Sequence, residues 1–423
     1  MIRFLLKGLI RDRSRSFFPV LMVAAGVFIT VFLHGWIKGA FDGIIGANAQ
    51  FDTGHVKIIT VAYRELADQM PNDLALLSVK KILEERKNSR NDITWTPRIR
   101  FGGLIDIPDE KGETRSQGPV FGFGIDLRGK ETPEIEILNL HKALAEGKLP
   151  QKENEILISK EFAEKLDIKT GQTATLISST MNGSMAMHNF IVSGMVHFGM
   201  SVMDKGAIIA DIRDIQIALD MPDGASEILG FKKDMIYRNA EMMSLAEEYN
   251  SSISDGDPFS PVMLTLGQQN GLGEYVNLGM VFAKIITLIF LSAMSIVLWN
   301  AGLMNGLRRY GEIGVRLAMG EPKGSIYRRM ILESVAIGFA GSVLGTIFGS
   351  AIVYYLQVKG FDFSSMMQKS SMLIYNVIRT RVTPATFYIG FLPGVFASVI
   401  GTMFAGIGIY RRQTSQLFKE LEV

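Results

Sequence analysis

Four stretches of this chain, each at least 20 residues long and almost free of charge, limit what it can fold into: Phe17–Trp36, Ile285–Met304, Met330–Leu356 and Ala385–Ile409. A helix needs about 20 mostly apolar residues to cross a hydrocarbon layer ~30 Å thick, because each backbone N–H and C=O must find its partner within the segment. Four membrane-spanning helices are therefore predicted. Pro393 lies inside the last and predicts a kink or break there. Residues 50 to 275, by contrast, read like an ordinary soluble sequence. Hydrophobic residues make up 48% of the chain and charged residues 20%, and their uneven distribution implies two solvents for one polypeptide.

Basic residues set the expected orientation. Arg3, Lys7, Arg11, Arg13 and Arg15 precede the first span; Arg308, Arg309, Arg316, Lys323, Arg328 and Arg329 lie between the second and third; Arg411, Arg412 and Lys419 follow the fourth. By the positive-inside rule these flanks and both termini are cytoplasmic, and residues 50 to 275 are outside. Lys359, Lys369, Arg379 and Arg381 on the opposing loop moderate the contrast. The net charge of +2 gives no reason to expect a nucleic-acid partner, and the basic clusters beside the spans suit anionic lipid headgroups. No cysteine is present, which excludes disulfides, thiolate catalysis and Cys-based zinc sites.

The expected organisation is an amphipathic N-terminal helix over 1–16, with Phe4, Leu5, Leu6, Leu9 and Ile10 interleaved with basic residues. The first span and a stalk follow over 17–49, an α+β domain over 50–265, and a second stalk and span over 266–307. Residues 308–329 form a cytoplasmic segment, 330–356 the third span, 357–384 an outer loop, 385–409 the fourth span and 410–423 a tail. The predicted fold is thus a polytopic α-helical membrane protein with a large α+β extracytoplasmic domain inserted between helices one and two. A cleaved signal peptide fits less well, since the first apolar core ends near Trp36, well before the small residues Ala47 and Ala49. Gly341, Gly345 and Gly349, four residues apart, make a smooth face suited to close helix packing, as do Gly390 and Gly394. Lys284 can snorkel from the edge of its span. Glu333 is expected to pair with Arg328 or Arg329.

In the outer domain, strands are read at Gly54–Val61, Glu155–Ser159, Phe190–Val196 and Ala207–Ala210, and helices near 73–88, 160–167 and 236–250. Met181, Met185, Met187, Met195, Met200 and Met203 crowd one segment, as either a pliable surface for apolar ligands or the core of a hairpin. Searches for chemistry find little. Gly124 to Lys130 has P-loop spacing, but Glu131 stands where a Ser or Thr must meet Mg²⁺. His34, His55, His141, His188 and His197 form no close ligand pair. No catalytic, cofactor or metal residues are expected.

Between spans two and three, Arg308-Arg309-Tyr310-Gly311-Glu312-Ile313-Gly314-Val315-Arg316-Leu317-Ala318-Met319-Gly320 reads as a short amphipathic helix ended by glycine and then Pro322. Ile313, Leu317 and Ala318 are read as available to a protein groove and Arg316 to an acidic partner. This segment resembles the coupling segment of the FtsX/MacB permease family. Glu155 to Ser159, Phe162 to Leu166 and Gly171 to Leu176 are similar to a strand, helix and turn of that family's outer domain. Asn48 to Ile58 and Gly199 to Asp204 look most like the lipoprotein-releasing LolC/LolE type. The resemblance implies no ATPase site in this chain and a cytoplasmic ABC ATPase subunit docked on Glu312, Ile313, Gly314, Arg316, Leu317, Ala318 and Gly320. It also implies ATP and Mg²⁺ bound by that subunit, a second permease copy or homologue, membrane lipids, a lipoprotein or other amphipathic substrate and a periplasmic carrier as partners, and work by mechanotransmission at the bacterial inner membrane. The alternatives are a MacB-like exporter of small molecules or peptides with an adaptor and an FtsX-like regulator of cell-wall hydrolases. One departure stands out: the family's tail carries prolines after its basic residues, whereas Arg411 to Phe418 has none.

Overall fold

The computed structural model describes residues 13–129, 132–198, 201–251, 257–269, 272–362 and 377–411. The predicted amphipathic helix at 2–12, Lys130, Glu131, Met200 and the tail beyond 411 lie outside the described residues. Among the described residues two compact units result, one within Asp42–Asn277 and one formed by those of Met1–Phe41, Leu278–Phe363 and Val377–Val423. The chain passes from the second into the first within helix α1, Arg13–Asn48, which ends in a π-helical turn at Ala49–Thr53. At 1.5 Å per residue α1 is ~54 Å long, well beyond what a bilayer core requires.

The outer unit is built on one ten-stranded sheet. Its strands are β1 Val56–Thr60, β2 Ile93–Pro108, β3 Thr114–Ile125, β4 Leu144–Gly147, β5 Glu155–Ser159, β6 Thr173–Ser179, β7 Met185–Val196, β8 Ala207–Asp211, β9 Glu227–Lys232 and β10 Pro261–Thr265. They lie in the order β10-β1-β9-β2-β3-β8-β5-β7-β4, with β6 pairing β2 and β7. The β3–β8 and β5–β7 pairs are parallel and the others antiparallel. The central strands are covered on both faces, which is why they read as unbroken apolar runs. Ile156 and Ile158 of β5 enter one core with Ile208 and Ala210 of β8, while Leu157 and Ile209 enter another. Helices α2 Val79–Ser89, α3 Lys160–Lys165, α4 Ile212–Ala218 and α5 Asn239–Ser251 complete the unit.

The four sequence-read strands are present, with β7 starting five residues earlier than expected. The long β2–β3 hairpin was not expected. Its Pro97, Gly102, Gly103, Pro108 and Pro119 look like loop punctuation, yet at Gly103 the structure shows why the residue is there. A Cβ on Gly103 would stand 2.4 Å from the Ile177 carbonyl, so the close approach of β6 requires glycine at that position.

His55, at the mouth of β1, is 1% exposed, and its Nδ1 accepts the Lys232 N–H at 3.0 Å. Burial lowers its pKa from 6.5 to about 4. The folded state therefore holds the neutral ring, and its contribution is fully present above pH 6.5 and is lost as pH falls from there toward 4. The whole shift is worth about 3 kcal/mol. Asparagine at this position can accept the same bond without titrating. Thermal unfolding of the full-length His55→Asn protein is expected to show a smaller drop in Tm between pH 7.5 and pH 5 than the parent. An unchanged drop would assign the acid sensitivity elsewhere, for instance to the paired carboxylates.

In the membrane unit, α1 is joined by α6 Leu272–Leu307, α7 Tyr310–Ala318, α8 Lys323–Lys359 and α9 Ser398–Arg411. The fourth span is broken, as Pro393 predicts: a 3-10 turn at Pro384–Phe387 and a π-helical stretch at Leu392–Ala397 precede α9. Four helical segments are long and apolar enough to cross a membrane: Phe17–Thr53, Leu278–Ala318, Lys323–Lys359 and Pro384–Ile407. Val23, Val27 and Val31 of α1 form the core with Leu298, Ile337 and Ala397. Leu288, Ile289, Phe348 and Phe404 face outward, as lipid contact requires.

The glycine face of α8 meets α1. A Cβ on Gly341 or Gly349 would come within 2.9 Å of Val23 or Val31, and one on Gly345 would stand 2.5 Å from the Ala24 carbonyl. Gly390 and Gly394 approach Val27 from the fourth span. A second seam went unread in the sequence, although Gly302 and Gly306 have the same four-residue spacing. A Cβ on Gly302 would stand 2.3 Å from the Ser398 carbonyl, and one on Gly401 2.1 Å from the Trp299 carbonyl. Beside it Thr402 donates to Ser334 Oγ at 3.0 Å, a polar tie between spans.

Candidate functional site

Tyr310–Ala318 is a nine-residue helix, α7, closed by a Schellman turn. The Glu321 N–H donates to the Arg316 carbonyl at 3.1 Å and the Gly320 N–H to the Leu317 carbonyl at 3.0 Å. Gly320 takes the left-handed φ of 89° that such a turn demands. Pro322 then caps α8, so two helices join through a short, defined corner.

One face of α7 is fixed to the spans. Tyr310, Ile313, Ile326 and Met330 form a small core with Leu317 packed against it, and the Tyr310 hydroxyl donates to the Ala405 carbonyl at 2.5 Å. This corrects the sequence reading. Ile313 is buried and Leu317 half-buried, both within the molecule, because at helical spacing they share the face of Tyr310 rather than that of Glu312. The face left open carries Glu312, Val315, Arg316 and Met319, with Ala318 and Gly320 also exposed and Gly314 buried. Glu333 pairs with Arg309, while Arg329 pairs with Glu321 at 3.2 Å. The expected partner of Glu333 was on its own helix; the observed one reaches across from the end of α6 and anchors the start of α7. Lys284 is exposed on α6.

The other features singled out in the sequence fall apart chemically. Gly124 ends β3 rather than opening a phosphate loop. Asp126, Arg128, Asp211, Arg213 and Asp214 form an ion-pair network beside it. The methionines divide: Met185 and Met187 are exposed, Met195 and Met203 buried. Glu161, His197 and Asp204 bring ligand-type atoms within 4.8 Å of one another, but the first two are exposed and Asp204 Oδ1 already accepts the Phe198 N–H at 2.7 Å.

Within the outer unit lies a cavity of about 840 Å³ that sequence reasoning missed. Its apolar wall includes Ile44, Phe51, Met70, Phe121 and Leu264. Its floor is a ring of four charges. Lys57 Nζ lies 2.7 Å from Glu227 Oε2, Arg100 Nε donates to Glu227 Oε1 at 2.9 Å, Arg100 pairs with Asp52, and Lys57 Nζ is 3.6 Å from Asp52. Burial alone would raise the Glu227 carboxyl, but Arg100 and Lys57 overcome it and hold its pKa below the ordinary range. Exposure grades across the ring, with the side chain of Glu227 at 1% and that of Asp52 at 34%.

Nearby, Arg98 is fully buried and grips Glu134 through two bonds, Nε to Oε1 at 2.7 Å and Nη2 to Oε2 at 2.8 Å. Its remaining donors bond the Phe51 carbonyl at 3.1 Å and the Gln50 carbonyl at 2.7 Å. The π-helical end of α1 is thereby tied to strand β2.

Four apolar helices, one carrying a side-mounted amphipathic corner, and a large α+β unit following the first helix define a polytopic membrane protein. Residues 284–414, which hold the last three apolar spans and α7, match the FtsX-like permease C-terminal family. This part of the chain thus carries an FtsX-like permease domain. It is similar to the ABC transporter permease YtrF of Bacillus subtilis (strain 168), 24% identical over 262 residues, 52% of this chain and 58% of that protein. It is also similar to the macrolide export ATP-binding/permease protein MacB of Bordetella avium (strain 197N), 31% identical over 111 residues, 26% of this chain and 16% of that protein. The chain therefore spans less than two thirds of either relative. Among solved structures, the periplasmic region of MacB from Actinobacillus actinomycetemcomitans is similar at TM-score 0.36 and 12% identity, covering 53% of this chain and 94% of that one.

Proposed function

We propose that this chain is the permease of an ABC-type machine in a bacterial inner membrane, driven by a separate cytoplasmic ATPase and working by mechanotransmission. In this reading two permeases, identical or homologous, bind two ATPases beneath the bilayer. ATP-driven closure pushes on α7, and the outer unit, on the periplasmic side, changes its hold on a lipoprotein or other amphipathic substrate. The observation that supports it is the division of α7 into an anchored face and an open one. Tyr310, Ile313 and Arg309 bind the corner to the spans, so a push on Glu312, Val315, Arg316 and Met319 is delivered to helices rather than lost in a loop. Replacing Glu312 and Arg316 together is expected to lower permease-stimulated ATP hydrolysis at least about tenfold, the effect of losing ~1.4 kcal/mol or more at an interface hot spot. Undiminished coupling of hydrolysis to substrate release in the purified complex would remove α7 from that role.

The likeness to a MacB protein favours one alternative, an exporter of small molecules or peptides that uses an adaptor. Mass spectrometry of partners retained in mild detergent separates the two: a lipoprotein or carrier favours release, an adaptor favours export.

A further inference from the structure

The space over the four-charge ring opens to solvent, so it is a cleft and not a void in the packing. At about 840 Å³ it falls in the range of small-molecule sites. Its walls do not suit water alone: Phe51, Met70 and Phe121 are only partly buried and line the space together. Its floor does not suit a singly charged guest. Two cations and two carboxylates close on one another; the most exposed members of the ring are one of each sign, Asp52 at 34% and Arg100 at 20% side-chain exposure, and the other charged lining residues, Arg64 and Asp68, are again one of each sign. An anion on Arg100 would face the Asp52 carboxylate, and a cation on Asp52 would face the guanidinium. A group that brings both charges meets both without an uncompensated neighbour.

We infer that this cavity binds a zwitterionic amphiphile, with its apolar body on Phe51, Met70 and Phe121 and its paired charges on Asp52 and Arg100. The guanidinium is braced from two sides, because Glu227 fixes its Nε edge and it sits 5.7 Å over the Phe123 ring. Such a headgroup is found on phospholipids and on free α-amino acids. The inference rests on the substrate being amphipathic, as proposed above, and not on the coupling helix. Its test uses neither nucleotide nor ATPase, so failure of one proposal is distinguishable from failure of the other.

Because the chain has no cysteine, a single introduced thiol reports on one position. Ala47→Cys places it on the cavity wall and Lys111→Cys on a remote exposed turn. Each full-length variant, in phosphatidylglycerol nanodiscs, is reacted with a fluorescent maleimide. The probes are octylphosphocholine, 2-aminodecanoic acid, octyl sulfate, octyltrimethylammonium and octyl glucoside, all below their micellar concentrations. At least one of the two zwitterions is expected to slow labelling of Ala47→Cys about fivefold or more, as ~80% occupancy requires. The better of them distinguishes a phosphocholine-type from an amino-acid-type headgroup. The other three probes should change it less than about twofold, and Lys111→Cys should respond to none. Adding Asp52→Asn should abolish the zwitterion's advantage, with protection read against that variant's own unprotected labelling rate. Equal protection by all five probes would reduce the site to an unselective apolar cavity, and no protection by either zwitterion would overturn the inference.

Discussion

Glu134→Ala is expected to destabilise the outer unit by about 3–5 kcal/mol, because it strands a fully buried guanidinium without its counter-charge. The measurement is denaturant or thermal unfolding of the full-length protein, followed by tryptophan fluorescence, Trp95 being the tryptophan buried in the core of this unit. Removing both partners, as Arg98→Met with Glu134→Leu, tests the origin of the loss. A pair that served only itself could be replaced by packed apolar side chains at little cost. Here the double variant should still fall short of the parent by about 2 kcal/mol, since the Gln50 and Phe51 carbonyls lose their donors inside the protein. Full recovery by the double variant would show that the bonds to the end of α1 contribute nothing to stability.

In the membrane unit, Gly401→Leu is expected to cost about 3 kcal/mol, the upper part of the range for overpacking. Even the first added carbon would stand 2.1 Å from the Trp299 carbonyl and 2.8 Å from the Leu303 nitrogen. Both are backbone atoms, so no rotamer change relieves the clash and the two helices must separate, straining the Thr402–Ser334 bond beside them. Gly43→Ala in α1 is the matched control. Nothing lies within 4 Å of its Cβ position, and replacing a mid-helix glycine by alanine favours the helix by about 0.5–1 kcal/mol. Unfolding of the two variants in the same detergent should move in opposite directions. A Gly401→Leu protein as stable as the parent would mean that the α6–α9 seam does not bear on packing.

The membrane helices were legible because an uncharged run of 20 residues leaves the backbone few other ways to meet its hydrogen-bonding needs. The glycine face of α8 was legible for a related reason: a four-residue repeat has one geometric meaning on a helix. Gly302 and Gly306 carried the same signal and passed unread. For α7 the residues revealed an amphipathic helix ended at Gly320 but not the destination of its apolar face, which packs against the chain's own Ile326 and Met330. Glu333 shows the same limit. Arg329, four residues away, is the nearest cation along the helix, whereas Arg309 is the nearest in space, and only tertiary structure decides between them. The β2–β3 hairpin was hidden because its prolines and glycines read as breakers, and Gly103 answers to a strand, β6, distant in sequence. The cavity was hidden because Asp52 and Lys57 meet Arg100 and Glu227 from distant parts of the sequence, and each is ordinary by itself.

The grip of Arg98 on the end of α1 has a consequence for acid. The Gln50 and Phe51 oxygens it holds are amide carbonyls with no proton to gain. The His55 sector softens on acidification, whereas these two bonds end on acceptors that do not titrate. The direct stitches between strand and helix thus differ from the Glu134 carboxylate that holds the other edge of the same side chain.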